Sequence, residues 1–400
     1  VTRTPYLTSR LQGFGTTVFA EMSALAVATG SINLGQGFPD RPGPAEVLDV
    51  ARAAIGTDHD QYPPGPGLPE LRQAIAEHHQ RFRGLSYDPA DEVLVTAGAT
   101  EALTAALIAL LEPGDEVVLF EPMYDSYAAA VAMAGAVLRP VPLRPPPAAA
   151  GEVTTGAWTF DEAELRAAVT PRARLLLLNT PHNPTGKVFT ADELALLAEV
   201  AEAADLVVLT DEVYEHLVFA GAEHVSLATL PGMRSRTLVI SSGGKTFNTT
   251  GWKIGWICGP APLVSAVRTA KQFLTFVNGG PFQPAIAAGL RLPDEYFRHV
   301  AHDLEQHRDL LVTGLAEAGL PVISPQATYF ATVDVRPVQA DGDGWAFCRS
   351  LPERAGVVAI PTEVFYAAEH AAMGRHLVRF AFCKTEEVLG EAVARLRRMA

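Results

Sequence analysis

Cysteine is scarce, with three residues in 400 (Cys258, Cys348 and Cys383) and no pair spaced as CxxC. That excludes a disulfide framework and a structural zinc cage, and it fits a reducing, cytoplasmic setting with no metal. Charge is also sparse, at 19% of residues, and cations are outnumbered by 31 Lys and Arg to 45 Asp and Glu, a formal net charge of -14. So acidic a chain is expected to bind neither nucleic acid nor an anionic membrane, and an anionic substrate has to be caught by a few local cations. Long apolar runs are missing as well. The longest uncharged one lies near Ala102–Leu111, far short of a bilayer span. The N-terminus leads into Arg10 and Glu21 without an apolar block, so it does not read as a secretory signal.

What is present is a large hydrophobic share, 48%, over a length that ordinary domain sizes divide into two or three units. Short aliphatic runs alternate with Ala-rich helical ones. Glu92-Val-Leu-Val-Thr precedes the helical run Thr100–Leu111, and Glu116-Val-Val-Leu-Phe precedes Ser126–Ala134. Arg174-Leu-Leu-Leu-Leu-Asn comes before a Pro/Asn turn and the helix Ala191–Ala204, followed by Leu206-Val-Val-Leu-Thr and Thr237-Leu-Val-Ile-Ser. Near-continuous aliphatic strands with interleaved helices predict an α/β fold with a mostly parallel central sheet covered on both faces. We place this large domain at 44–283, with Pro145–Gly151 as a stiff surface loop inside it. From about Pro284 the pattern changes to a long amphipathic helix (Pro293–Ala318), the run Tyr329–Asp334, a helix near Trp345–Leu351, the strand His376–Phe382 and a terminal helix. Residues 284–400 together with 1–43 are read as a smaller α+β domain.

Ligands of open α/β sheets gather at the C-terminal strand ends. At the first end, Ala97-Gly98-Ala99-Thr100 opens a helix, where small residues let N–H groups close around an anion, although many strand–helix turns look alike. Tyr124, after the second strand, can stack on a planar ring or simply pack. The turn Asn179-Thr-Pro-His-Asn183-Pro-Thr-Gly186 is denser in turn residues than a bland loop needs. Asp211 ends a buried strand, which is expensive without a cationic partner; a pyridinium nitrogen, a magnesium ion or a helix end would each answer. The most specific segment is Ser241-Ser242-Gly-Gly-Lys245-Thr-Phe…Gly251-Trp-Lys253-Ile-Gly-Trp256. There a lysine directly follows a strand, and a desolvated amine beside a second cation, Lys253, becomes nucleophilic.

These motifs, with Asp211-Glu-Val-Tyr214, Leu34-Gly-Gln-Gly37-Phe38-Pro-Asp40, Gln61-Tyr62-Pro-Pro-Gly and Leu377-Val-Arg379-Phe-Ala-Phe-Cys-Lys, resemble the class I/II aminotransferases of fold type I, which use pyridoxal 5′-phosphate (PLP). Within them the chain looks most like N-succinyldiaminopimelate and kynurenine or methionine–glutamine aminotransferases. The resemblance implies a Schiff base between PLP and Lys245, which then shuttles the substrate proton. It implies Asp211 on the pyridinium nitrogen, Tyr214 and Asn183 on the phenolic oxygen, and Tyr124 stacked on the ring. Gly98, Ala99, Thr100, Ser242 and Lys253 would hold the phosphate, with Tyr62 reaching the phosphate of a neighbouring subunit in a homodimer. Arg379 would take the substrate α-carboxylate through its planar fork, near Asn183, Gly37 and Phe38. Val378, Phe380 and Phe382 share one strand face and leave Arg379 on the other; a structural ion pair is its alternative.

The implied activity is ping-pong transfer of an amino group from an amino acid, with N-succinyl-LL-2,6-diaminopimelate the first choice, to a 2-oxo acid such as 2-oxoglutarate. A kynurenine or glutamine/methionine aminotransferase and a PLP-dependent C–S β-lyase are the alternatives. The chain departs from the pattern at Lys253, where arginine is common in the wider class, and at Gln326-Ala327, where glycine is usual. It departs again at Asn278-Gly-Gly, where relatives bring in an aromatic; this predicts a roomier pocket.

Overall fold

The computed structural model describes residues 6–399. Its large sheet has seven strands, in the spatial order Val93–Ala97, Ile254–Cys258, Thr237–Ser242, Val207–Asp211, Ala173–Asn179, Glu116–Glu121, Val137–Pro142. Every neighbouring pair is parallel except those made by Ile254–Cys258, which runs against both of its neighbours. The leucine run shows why the strands are aliphatic throughout. Leu175 and Leu177 pack into a cluster on one face with Leu119, Leu209, Ile240 and helix residues Ala102–Leu107; Leu176 and Leu178 pack on the other with Leu194 and Leu197. Each buried leucine contributes about 1.5–3 kcal/mol of transfer free energy, and both faces have to be covered to gain it.

Helices follow where caps and patterns meet. Ala191–Ala203 starts in a capping box: Thr190 Oγ1 accepts from the Glu193 N–H at 3.2 Å, and the Glu193 carboxylate accepts from the Thr190 N–H at 2.8 Å. The long predicted helix spans Asp294–Glu317. Two strands of the large sheet escaped the sequence reading. Val137–Pro142 carries Pro140 and Pro142, which only an edge strand tolerates. Ile254–Cys258 lay hidden within a glycine- and tryptophan-rich motif.

A second sheet has the order Ile360–Pro361, Leu377–Ala381, Phe330–Asp334, Val322–Ile323, Val153–Thr154. The N-terminal segment joins this region through Ile32–Asn33, which pairs in parallel with Val357–Val358. Two details differ from the division at residue 283. That point falls inside the helix Phe282–Leu290, whose Ala285, Ile286 and Ala287 pack with Val47, Leu71, Val95 and Trp256 of the large unit. Also, Val153–Thr154, just beyond the proline-rich loop, crosses over to pair with Val322–Ile323. Among the described residues no helix is long and apolar enough to cross a membrane, and the three cysteines are buried and unpaired.

Candidate active site

Because Ile254–Cys258 runs opposite to the other strands, its N-terminal end lies beside their C-terminal ends, and Lys253 arrives at the same sheet edge as Gly98, Asp211 and Ser242. A cavity of about 310 Å³ opens there. Gly37, Phe38, Gly98, Ala99, Thr100, Tyr124, Asn183, Asp211, Tyr214, Ser242, Lys245, Lys253 and Arg379 all line it. Tyr62 does not: it is 83% exposed, with its ring edge-on to Phe276 at 5.5 Å between centroids.

Lys245 stands in the short helix Gly243–Thr246, directly after the strand Thr237–Ser242. Its Nζ has one long contact, to the Gly37 carbonyl at 3.4 Å, and lies 5.8 Å and 5.7 Å from the ring centroids of Tyr214 and Tyr329. Burial pushes its pKa down to about 8, with Arg379 and Lys253 adding to the effect and Asp211 opposing it. At a pKa of about 8 roughly a tenth of the amine is uncharged at pH 7, far more than for an ordinary lysine, and it is the uncharged form that attacks a carbonyl. Burial acts the other way on the Asp211 carboxyl, raising its pKa, while a hydrogen bond from Tyr127 and the charge of Lys245 favour ionisation. Asp211 is no helix cap, and it lies outside the one group with metal-ligand spacing among the described residues, His78, Glu215 and His216.

The turn after Ala173–Asn179 is held by Asn179. Its Nδ2 donates to the Asp211 carbonyl at 2.9 Å, and its Oδ1 accepts from the Asn183 N–H at 2.7 Å. Asn183 is thereby presented to Arg379, whose Nη1 donates to Asn183 Oδ1 at 3.0 Å while Nη2 donates to the Gly35 carbonyl at 3.0 Å. The guanidinium lies 3.9 Å from the Phe330 ring centroid and 4.9 Å from that of Phe365. It is 1% exposed, and burial lowers its pKa to about 10. Among the described residues no carboxylate pairs with it, and its Nε–H is buried without a partner. A structural ion pair is thus not its role; a buried cation with unused donors facing a cavity is suited to an incoming carboxylate.

At the other end of the cavity two glycines allow close approach. Gly98 has φ +74°, and a Cβ there would meet Lys253 Nζ at 3.1 Å; a Cβ on Gly255 would sit 2.5 Å from the Gly98 carbonyl carbon. The first turn of Gly98–Leu110 therefore lies against Lys253, an arrangement of helix N–H groups and an ammonium that suits an anion. Asn278 supports this end, donating to the Thr96 and Lys253 carbonyls at 3.2 and 2.9 Å. The segment before it does carry aromatics, Phe273 and Phe276, at 83% and 53% exposure.

The sequence profile for aminotransferase class I and II matches residues 29–396. The chain belongs to this family. It is 52% identical over 398 residues to the probable N-succinyldiaminopimelate aminotransferase DapC of Mycobacterium tuberculosis, covering 98% of each chain. It is 39% identical to the methionine aminotransferase of Escherichia coli, again over 98% of both. The solved structure of N-succinyldiaminopimelate aminotransferase from Mycobacterium tuberculosis superposes with a TM-score of 0.93 at 52% identity, over 98% of this chain and 100% of that one. The protein is a PLP-dependent transaminase of fold type I. Its cavity suits that cofactor: an amine of lowered pKa for the aldehyde, a buried carboxylate for the ring nitrogen, and donors with a lysine for the phosphate. Sequence reasoning assigned no role to Tyr127, Asn179, Thr250, Phe19 or Phe330, although all five line this class I and II aminotransferase cavity. Only Asn179 and Phe330 carried a local signal, an amide and an aromatic at strand ends; Phe19 and Tyr127 lie in helices and Thr250 in a short turn.

Proposed function

We propose that the enzyme transfers the amino group of N-succinyl-LL-2,6-diaminopimelate to 2-oxoglutarate in the cytoplasm, the donor leaving as its 2-oxo acid and the acceptor as glutamate. The observation that carries the site assignment is the convergence of Lys245, Asp211 and an unpaired, buried Arg379 on one cavity. The similarity to DapC over nearly the whole chain supports the donor.

In this reading PLP supplies an aldehyde that takes up the amino group and a ring that accepts the electron pair of the Cα–H bond. Lys245 would hold the cofactor and, once its amine is free, would take the Cα proton of the amino donor and hand it on within the site. Asp211 would keep the ring nitrogen protonated, Tyr214 and Asn183 would hold the phenolic oxygen, and Tyr124 would lie against the ring. Ala99 and Thr100 N–H groups, with Gly98, Ser242 and Lys253, bind the phosphate. Arg379, held by Asn183, would grip the α-carboxylate and so fix the orientation of the donor's Cα. Gly37 and Phe38 close the cavity mouth.

A homodimer is part of this proposal. Tyr62, Phe273, Leu274 and Phe276 form an exposed apolar group beside the phosphate end, of the kind that marks an interface. Beneath it, buried Lys271 donates to the Gly65 and Phe276 carbonyls at 3.0 and 2.6 Å, and Tyr62 would reach the neighbouring subunit's phosphate. A methionine donor is the second reading, favoured by 39% identity to a methionine aminotransferase and by the Phe19, Phe38 and Phe330 lining.

Single-turnover mixing with a panel of amino donors tests the proposal. N-succinyl-LL-2,6-diaminopimelate should bleach the cofactor's visible band at the lowest concentration. Methionine or kynurenine acting at tenfold lower concentration would replace it, and release of pyruvate and ammonia from cystathionine without an oxo acid would make the enzyme a β-lyase.

A further inference from the structure

The Asp211 carboxylate has a neighbour that the roles proposed above leave unused. The phenol of Tyr127 donates to Asp211 Oδ2 at 2.8 Å, and the Val213 N–H reaches Oδ1 at 3.4 Å. Both partners are buried, Tyr127 at 3% and Asp211 at 7% exposure. Tyr127 belongs to the first turn of the helix Asp125–Ala134, and its ring meets that of Tyr124 edge-on, with 5.7 Å between centroids. One helix start thus carries both the ring that lines the cavity and the donor that grips the carboxylate. An ionised carboxylate is costly at this depth, and the Tyr127 hydroxyl is the closest group offsetting that cost. Burial holds the phenol itself protonated, so it remains a donor over the working pH range.

We propose that Tyr127 is a positioning residue for the transamination, its hydroxyl holding the Asp211 carboxylate ionised and in the rotamer that meets the cofactor's ring nitrogen. The inference rests on the assignment of Asp211 to that nitrogen. Tyr127 acts through Asp211, which separates it from an aromatic that merely fills space: a packing role resides in the ring, this one in a single oxygen.

Tyr127→Phe keeps the ring and removes the oxygen. Titration of the apoenzyme with PLP should show about tenfold weaker binding, the size expected for one hydrogen bond to a charged group. The pH midpoint of the visible band should move, and kcat should fall with the amino-donor KM unchanged. In an Asp211→Asn background the same substitution should change neither PLP affinity nor the midpoint further. The proposal is overturned if Tyr127→Phe leaves both within twofold of the parent, or if its effect is the same size in both backgrounds. If Asp211→Asn alone leaves PLP affinity and spectrum as in the parent, the Asp211 assignment fails instead, a result distinct from failure at Tyr127.

Discussion

Replacing Arg379 by lysine keeps the positive charge and removes the planar fork. In the structure two of the five guanidinium N–H groups are spent on Asn183 Oδ1 and the Gly35 carbonyl, leaving one on each Nη for a substrate besides the buried Nε–H. Lysine has three N–H groups on a single nitrogen, so it cannot satisfy both protein carbonyls and still present two parallel donors to a carboxylate. The loss is at least one charge-assisted hydrogen bond, about 1.5–3 kcal/mol, which corresponds to about 10- to 150-fold weaker binding of the amino donor. Single-turnover bleaching of the visible band against donor concentration measures this directly. An amine that resembles the donor but lacks the α-carboxylate serves as the control, and its affinity should be unchanged. A donor affinity within twofold of the parent, or an equal loss for the carboxylate-free amine, would refute the role given to Arg379.

The Lys245 amine should react with PLP at a rate that rises with pH through about 8 and then levels, because burial lowers its pKa to that value and only the uncharged amine attacks; at neutral pH this leaves about 300-fold more free amine than an ordinary lysine would offer. Borohydride should then fix the cofactor on Lys245, whereas label on Lys253, or a rate rising only above pH 10, contradicts the assignment. Light scattering should give the mass of two chains, and Tyr62→Phe should weaken PLP binding without altering that mass; a monomeric enzyme of full activity removes Tyr62 from the site.

Much of this protein was legible locally. The run Leu175–Leu178 dictated a strand covered on both sides, since period-two geometry sends neighbouring side chains to opposite faces. Lys245, Asp211 and Asn183 were recognisable because each follows a strand in a setting of residues that a plain turn does not need. Arg379 was separable from the apolar face of its own strand by alternation alone, but the choice between an ion pair and a free guanidinium was not, because an absent partner is a property of everything around it.

Tertiary structure decided the rest. Ile254–Cys258 runs antiparallel, and only that reversal carries Lys253 to the edge where Gly98 begins its helix. The Tyr127–Asp211 hydrogen bond joins residues 84 positions apart, and Phe330 and Phe365 reach the Arg379 guanidinium from separate segments. Sequence alone determined that the aliphatic runs form buried strands and which residue types carry the chemistry, because backbone periodicity and turn propensity act over a few neighbours. Which of those residues meet, at what distance and with what charge left uncompensated, depends on how strands and helices pack, and that is settled only when the whole chain closes around its core.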